Sequence, residues 1–402
     1  MKICLINAIV IPMTPNQQPE KSNLFLENGI ITNISTNAPG PDYQVIDVEG
    51  CYIMPGLHDM HVHIDNDTTL PLYLVNGVTA IRNMSGDDRS LKLKKEISEG
   101  KFLGPTIHNT GPILDGEEGK IARSIKLKSP QEATAEVMEE ADKGYEFIKT
   151  YPQIPVDIYN AIVNATNSRG LKIVGHGNEN LSYPELIDSG YYSVEHANNL
   201  PDDEAEMIQA AEAGMWSVPT LCVISAVQAM AVDGKCLDLA DYEDYLTKRD
   251  LEAWEKAQQY YKTTPRFKTF DISKFVRKVQ MFHRYSNHIL LGTDAYMPFI
   301  LPGYSVHDEL ANLVNLVGMS NEQALMAGTV LAAQNLGTQN KTGTIEVGKH
   351  AELLVLEANP LENVANCKKI RGVMHLGKWH DKESLKEMEE NVKASVRKTE
   401  LQ

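Results

Sequence analysis

Eight short β-type runs, spaced by segments long enough to hold a helix or more, constrain this chain more than any other feature. They fall at Ile53 to Leu57, Val78 to Arg82, Thr106 to Thr110, Glu146 to Tyr151, Lys172 to His176, Ser193 to His196, Trp216 to Leu221 and Ile289 to Thr293. In segments between them, such as Pro130 to Lys143 and Val156 to Arg169, apolar residues recur every three or four positions, and Gly170 stops the second. Alternation of this kind predicts an α/β fold with parallel strands, and eight units predict a (β/α)8 barrel, expected over residues 53–342. One connection breaks the rhythm. Cys222 to His288 (222–288) is far longer than an ordinary barrel loop and holds Trp254, Tyr260, Tyr261, Phe267 and Phe270. Lying after the seventh strand, it is expected on the open face as a lid, with an extra helical pair on the outer wall as the alternative.

Outside the barrel the texture is different. From Lys2 to Tyr52, short apolar runs are separated by turn residues, and Asn28-Gly29 between Leu24-Phe25-Leu26 and Ile30-Ile31 is a strong hairpin signal. A second β-type stretch runs from Gly343 through Ala351-Glu352-Leu353-Leu354-Val355-Leu356. Neither stretch has enough apolar surface for its own core, so residues 1–52 and 343–380 are expected to form one composite β-sandwich. Residues 381–402 are half charged, with Leu385, Met388, Val392 and Val396 at helical spacing, which predicts a surface helix or a frayed tail.

Composition narrows the function classes. Acidic residues outnumber basic ones 54 to 38, a formal net charge of -16, so nucleic acid and anionic membrane surfaces are repelled. No run approaches the roughly 20 apolar residues of a membrane span and the start shows no cleavage signal, so a cytoplasmic location is expected. The five cysteines, Cys4, Cys51, Cys222, Cys236 and Cys367, are scattered and never spaced C-x-x-C, which argues against a disulfide framework or a thiolate metal site. Any metal must then sit on histidine and carboxylate. A small-molecule substrate is the expected partner, and self-association is left open.

Side chains at the carboxyl ends of barrel strands converge on one face. Those positions carry His61 and His63 two residues apart, Lys149, His176, His196 and Asp294. Each has an ordinary explanation if taken alone. A His-x-His pair arises often by chance, Lys149 could snorkel, Asp294 could cap a helix, and His176 could be a packed core residue. Their joint occurrence at the strand ends of one barrel favours a shared site.

The chain resembles the amidohydrolase superfamily, in its imidazolonepropionase-like and metal-dependent dipeptidase (prolidase-like) branch. The resemblance rests on Ile53-Met54-Pro55-Gly56-Leu57-His58-Asp59-Met60-His61-Val62-His63, Gly77-Val78-Thr79-Ala80-Ile81-Arg82, Phe147-Ile148-Lys149, Gly175-His176, Glu195-His196, Gly292-Thr293-Asp294 and Gly343-Thr344-Ile345-Glu346-Val347-Gly348. It implies two divalent metals, usually zinc, with His61, His63 and Asp294 on the first, His176 and His196 on the second, and Lys149 bridging as a carbamate formed with CO2. A lysine made neutral by burial and nearby positive charge can react with CO2 and become an anionic ligand. The resemblance also implies hydrolysis of a C–N amide bond by metal-bound hydroxide, with Asp294 carrying the proton to the leaving nitrogen.

Dipeptides or N-acyl amino acids are the expected substrates. A cyclic amide or imidazolone ring is the alternative, and a noncatalytic barrel is a third reading that the intact ligand set disfavours. Arg82, Tyr151, Asn178, Thr220 and Tyr296 are candidates for gripping substrate, from position alone. Two departures bear on substrate rather than metal: Asn83 follows the strand-two arginine where relatives often have aspartate, and Thr110 to Gly116 lacks a histidine, with His108 only nearby.

Overall fold

A computed structural model describes residues 1–15, 17–232 and 242–399. Seven parallel strands lie side by side in chain order: Leu57–Val62, Val78–Asn83, Thr106–Gly116, Phe147–Thr150, Lys172–Gly175, Ser193–Glu195 and Trp216–Val218. The eighth position is filled by the extended segment 289–295. Its Leu290 N–H donates to Ser217 O at 2.9 Å on one side, while Met60 N–H donates to Leu291 O at 2.8 Å and Asp294 N–H to His61 O at 2.7 Å on the other. The barrel is therefore closed, although this last segment makes bridges rather than a regular ladder.

The first predicted barrel run straddles two elements. Tyr52–Pro55 belongs to the other sheet, paired antiparallel with Leu353–Leu356, and the barrel begins only at Leu57. Gly56 is the junction. A Cβ there would lie 2.3 Å from the Thr79 side chain, so the chain can turn against the second strand only without one. A short strand absent from the sequence reading, Ile125–Leu127, extends the barrel rim by pairing with the end of Thr106–Gly116.

The second sheet draws its strands from both termini, in the order Lys378–Asp381, Ile370–His375, Leu353–Leu356, Tyr52–Pro55, Lys2–Val10, Glu20–Glu27, Ile30–Ser35, with Gln44–Asp47 beside the first half of Lys2–Val10. Leu5, Leu24, Ile53, Leu353 and Met374 share its core. The Asn28-Gly29 turn has φ of 50° and 79°, the paired positive values a tight hairpin between right-twisted strands requires.

Local signals set the barrel helices. Pro130–Lys143 starts under a hydrogen bond from Glu132 N–H to the Ser129 hydroxyl, carries proline in its first turn, and stops at Gly144 with φ of 89°. The long insertion forms Leu221–Ala231, Lys248–Thr263 and Ile272–Tyr285; its residues 233–241, with Cys236, lie outside the described residues. The C-terminal segment is the helix Lys382–Thr399, with Leu385, Met388, Val392 and Val396 all buried. It is thus a packed helix and not a frayed tail: Leu385 and Met388 join the barrel core, and Val392 meets Trp254 and Tyr296 in a cluster beside the insertion. No helix among the described residues is long and apolar enough to cross a membrane.

Candidate active site

The first strand delivers His61 near its end and His63 just beyond it. Its pairing with the second strand shifts between Asp59 and Val62, and an irregularity of that kind re-aims side chains at a barrel rim. Asp294 comes from the closing segment. His61 Nε2 and His63 Nε2 lie 3.5 Å and 3.2 Å from Asp294 Oδ1, and the ligand atoms of the three residues fall within 4.8 Å of one another.

The fifth and sixth strands add His176 and His196, whose Nε2 atoms approach to 3.0 Å. His196 Nδ1 is 3.8 Å from Asp294 Oδ2, and the His61 and His196 rings stand 4.6 Å apart. Lys149, wholly buried on the fourth strand, sets its ammonium 5.6 Å from the Tyr151 ring, which stacks on His176 at 4.0 Å. His61, His63, Lys149, His176, His196 and Asp294 are thus gathered at one end of the barrel.

Hydrogen bonds behind the imidazoles choose which nitrogen faces inward. His61 Nδ1 donates to Glu195 Oε2 at 2.7 Å, His63 Nδ1 is bonded to Ser85 Oγ at 2.9 Å, and His196 Nδ1 to Thr220 Oγ1 at 2.8 Å. With Nδ1 engaged, Nε2 is left to face the centre. Glu195 is itself held by Arg82 at 2.7 Å and by the Ser193 hydroxyl at 2.7 Å. Asp59, two residues before His61, accepts from Thr293 N–H at 2.9 Å and Thr293 Oγ at 2.6 Å, which pins the segment bearing Asp294.

Burial governs the charges. It pushes His196 down to about 4 and holds His61 and His176 well below the usual imidazole range, with Lys149 adding to the effect on both. All three rings are neutral near pH 7, the form in which imidazole binds a metal. Lys149 is lowered to about 8, chiefly by burial, against the pull of Glu195 and Asp294. Burial would raise Asp294, yet the imidazoles of His196 and His63 keep its carboxyl below the ordinary range.

Beyond the ion-pair contacts to Asp294 already given, His61 Nε2, Lys149 Nζ and Asp294 Oδ1 are buried with no hydrogen-bond partner among the described residues. An unpaired buried polar atom costs about 1–3 kcal/mol, so three gathered here would be costly unless something bound them. A donor set of imidazole nitrogen and carboxylate oxygen is what a divalent cation such as zinc takes, so the residues fit a metal centre. His196, Thr220 and Asp294 also adopt left-handed backbone, with φ of 67°, 48° and 62°. Such conformations collect at functional sites because the surrounding fold must hold them.

The five candidates for substrate contact divide. Arg82 does not reach the mouth: it is completely buried, donating to Met60 O, Asn335 Oδ1 and Glu195. Thr220 and Asn178 are buried too, the first bonded to His196 and the second tying Ile154 O to the backbone of Asn180. Tyr296 packs on Trp254 at 6.0 Å and donates to Asp250, behind the site. Tyr151 alone of the five lies against a metal-candidate side chain and is still partly exposed.

Sequence reasoning assigned no role to Glu195, Ser85 or Asp59. Strand alternation was the available signal for Asp59, since it stands two residues from His61 as His63 does. It also passed over Arg123, between the third barrel strand and Ile125–Leu127, which pairs with Asp65 at 3.1 Å and whose charge helps lower Lys149.

Residues 52–380 match the amidohydrolase family. Ochratoxinase of Aspergillus niger is 22% identical over an alignment covering 94% of this chain and 86% of that protein, and imidazolonepropionase of Yersinia pseudotuberculosis is 24% identical over 75% and 77%. The solved structure of a Xaa-Pro dipeptidase with bound methionine superimposes with a TM-score of 0.75 at 21% identity, covering 95% of this chain and 100% of that one. The match spans the whole barrel, including every strand that carries a site residue, together with Tyr52–Pro55 and the later strands of the second sheet, and on it the chain belongs to the amidohydrolase family and is a hydrolase of carbon–nitrogen bonds.

Proposed function

We propose that the protein hydrolyses the exocyclic amide bond of a dipeptide or N-acyl amino acid, using a divalent metal centre held by His61, His63, His176, His196 and Asp294, with Lys149 as a carbamate between two zinc ions. The observation that carries the substrate class is Arg123. Its guanidinium is half exposed, has Asp65 as its one carboxylate neighbour among the described residues, and is close enough to the site for its charge to act on both Lys149 and Tyr151. A guanidinium at the mouth can bind the free carboxylate of such substrates in bidentate fashion.

A bound divalent metal would polarise the scissile carbonyl and make water easier to deprotonate. The chain's own residues do the rest. Asp294, kept ionised, accepts a proton from the attacking water and passes it to the leaving nitrogen, which could not otherwise depart as a neutral amine. Lys149, lowered to about 8, has a neutral fraction at pH 7 to 8 whose lone pair can add to CO2 with loss of one proton. Glu195 and Thr220 hold the His61 and His196 rings in the inward orientation. The Tyr151 ring covers one face of His176 and shields it from water.

The test is a screen of dipeptides and N-acyl amino acids with zinc and bicarbonate present, each paired with its C-terminal amide. Arg123→Leu should raise KM roughly 10- to 100-fold for free carboxylates, the loss of about 1.5–3 kcal/mol expected for a bond to a charged group, and leave the amides unchanged. Equal effects on both members of each pair would reject the carboxylate reading.

A further inference from the structure

The catalytic residues occupy the ends of the barrel strands; a separate cavity of about 570 Å³ lies where the first three strands begin, reached by His58, Ala80 and Ile107. That volume falls within the roughly 300–1,000 Å³ of ordinary small-molecule sites. One wall is a flank of the helix Asp88–Ser98, through the partly exposed Leu91 and the buried Ile97. The opposite wall comes from the terminal sheet and the stretch leading to it, through Glu352 and Leu376. The cavity therefore sits at the seam between the barrel and the sheet, and its interior is chiefly apolar.

Its rim is not. Lys94, Lys95, Lys143 and Lys341 line it, in a chain whose net charge is -16. Two of them are neutralised locally, Lys94 by Glu146 at 2.6 Å and Lys143 by Glu139 at 3.0 Å. The lining carboxylate, Glu352, is taken by His375 at 2.5 Å and by the Leu376 N–H at 3.1 Å. Lys95 and Lys341 have no ion pair among the described residues. Two free ammonium groups above an apolar pocket match a ligand that is apolar at one end and anionic at the other.

We propose that this cavity is a second ligand site, separate from the catalytic centre, for an organic monoanion with an apolar body, such as a medium-chain or aryl carboxylate. The apolar part lies against Ala80, Leu91, Ile97 and Ile107, and the carboxylate meets Lys95 and Lys341. A cation of the same shape is repelled by the rim, and a neutral molecule gains only the apolar contact. Because the ligand would bridge barrel and terminal sheet, its binding raises the melting temperature by mass action.

Octanoate serves as the probe, titrated calorimetrically into the full-length metal-loaded protein beside octylamine and octanol. The expected result is saturable one-to-one binding of octanoate, with octylamine not binding and octanol at least tenfold weaker. The double variant Lys95→Glu with Lys341→Glu should lose about tenfold or more in octanoate affinity while keeping the parent's hydrolytic activity, and Ser98→Trp, at the exposed end of the wall helix, should obstruct entry. Arg123→Leu should leave octanoate binding unchanged, which separates this site from the catalytic mouth. The proposal is overturned if octanoate does not bind, if the amine or alcohol binds as tightly, if the lysine reversals have no effect, or if Arg123→Leu abolishes binding.

Discussion

Glu195 shows how one side chain can set the behaviour of its neighbours. It lies fully buried between Arg82 and His61, accepting from both at 2.7 Å, so its charge is balanced on one side and its geometry fixed on the other. In Glu195→Gln the amide can keep only one of these bonds as an acceptor. Where its NH2 faces His61, that ring must accept at Nδ1 and carry its proton on Nε2, the atom that would hold the proposed metal. Metal affinity should fall about 10- to 100-fold, the usual effect of losing such a partner, and elemental analysis after dialysis against a weak chelator reads it directly. Equal metal content in variant and parent would mean that the ring is held by other means. That the histidines and Asp294 come together was legible because all sit at strand ends of one barrel. Glu195 stood in plain view beside His196, but an acid in a strand carries no mark of which neighbour it will orient. Arg82 misled for a related reason: alternation tells which side of a strand a residue faces, not how deep below the rim it lies.

Among the elements, the insertion between the seventh and eighth strands separates its aromatics into two environments. Trp254 is 2% exposed and packs with Tyr296 and Phe299, at 6.0 Å and 5.2 Å, against the C-terminal helix residue Val392. Tyr261 is only partly buried, at the edge of the same cluster and 4.9 Å from the Phe267 ring, and after burial and Tyr260 the charge of Asp294 is among the causes that raise its hydroxyl. Trp254→Ala should therefore lower stability by about 3–5 kcal/mol and leave relative specificity alone. Tyr261→Ala should keep the melting temperature nearly unchanged and alter kcat/KM unequally across substrates. If both variants only destabilise, the insertion is wall and no part of it selects substrate. The aromatics could be read from sequence, but which of them turn inward depends on how three helices pack, and a local pattern does not contain that. The same limit explains Ile53 to Leu57, a continuous apolar run that hides a change of sheet at Gly56, and the last barrel segment, whose apolar stretch was visible while its irregular bridging was not.

Across the whole molecule, both ends of the chain are committed to one sheet that abuts the barrel's lower end. Leu353–Leu356 sits between Tyr52–Pro55 and Ile370–His375, so truncation after Thr342 would strip a fully buried strand from the middle and should yield insoluble protein on expression. The barrel's helical shell carries a different vulnerability, to acid. His307, on the helix Tyr304–Asn312, is buried with neither ring nitrogen bonded among the described residues, and burial pushes it down to about 3. His58, bonded to Gly328 O at 3.2 Å, is pushed down to about 4 for the same reason. In the unfolded chain both return to about 6.5, so below that pH the unfolded state binds more protons than the folded one. Their stabilising contribution is thus intact above about pH 6.5 and is lost as pH falls through the window from 6.5 toward 3 to 4. Each unit of that window is worth about 1.4 kcal/mol per histidine. His307→Leu removes one titration and two unpaired polar atoms at nearly constant volume. It should melt higher than the parent at pH 8, because an unsatisfied buried group is gone, and the gap should widen by roughly 2 kcal/mol at pH 5, where the unfolded parent has taken up its proton. Chemical denaturation of both proteins at the two pH values measures the change; a gap that stays constant would show that His307 does not titrate on unfolding.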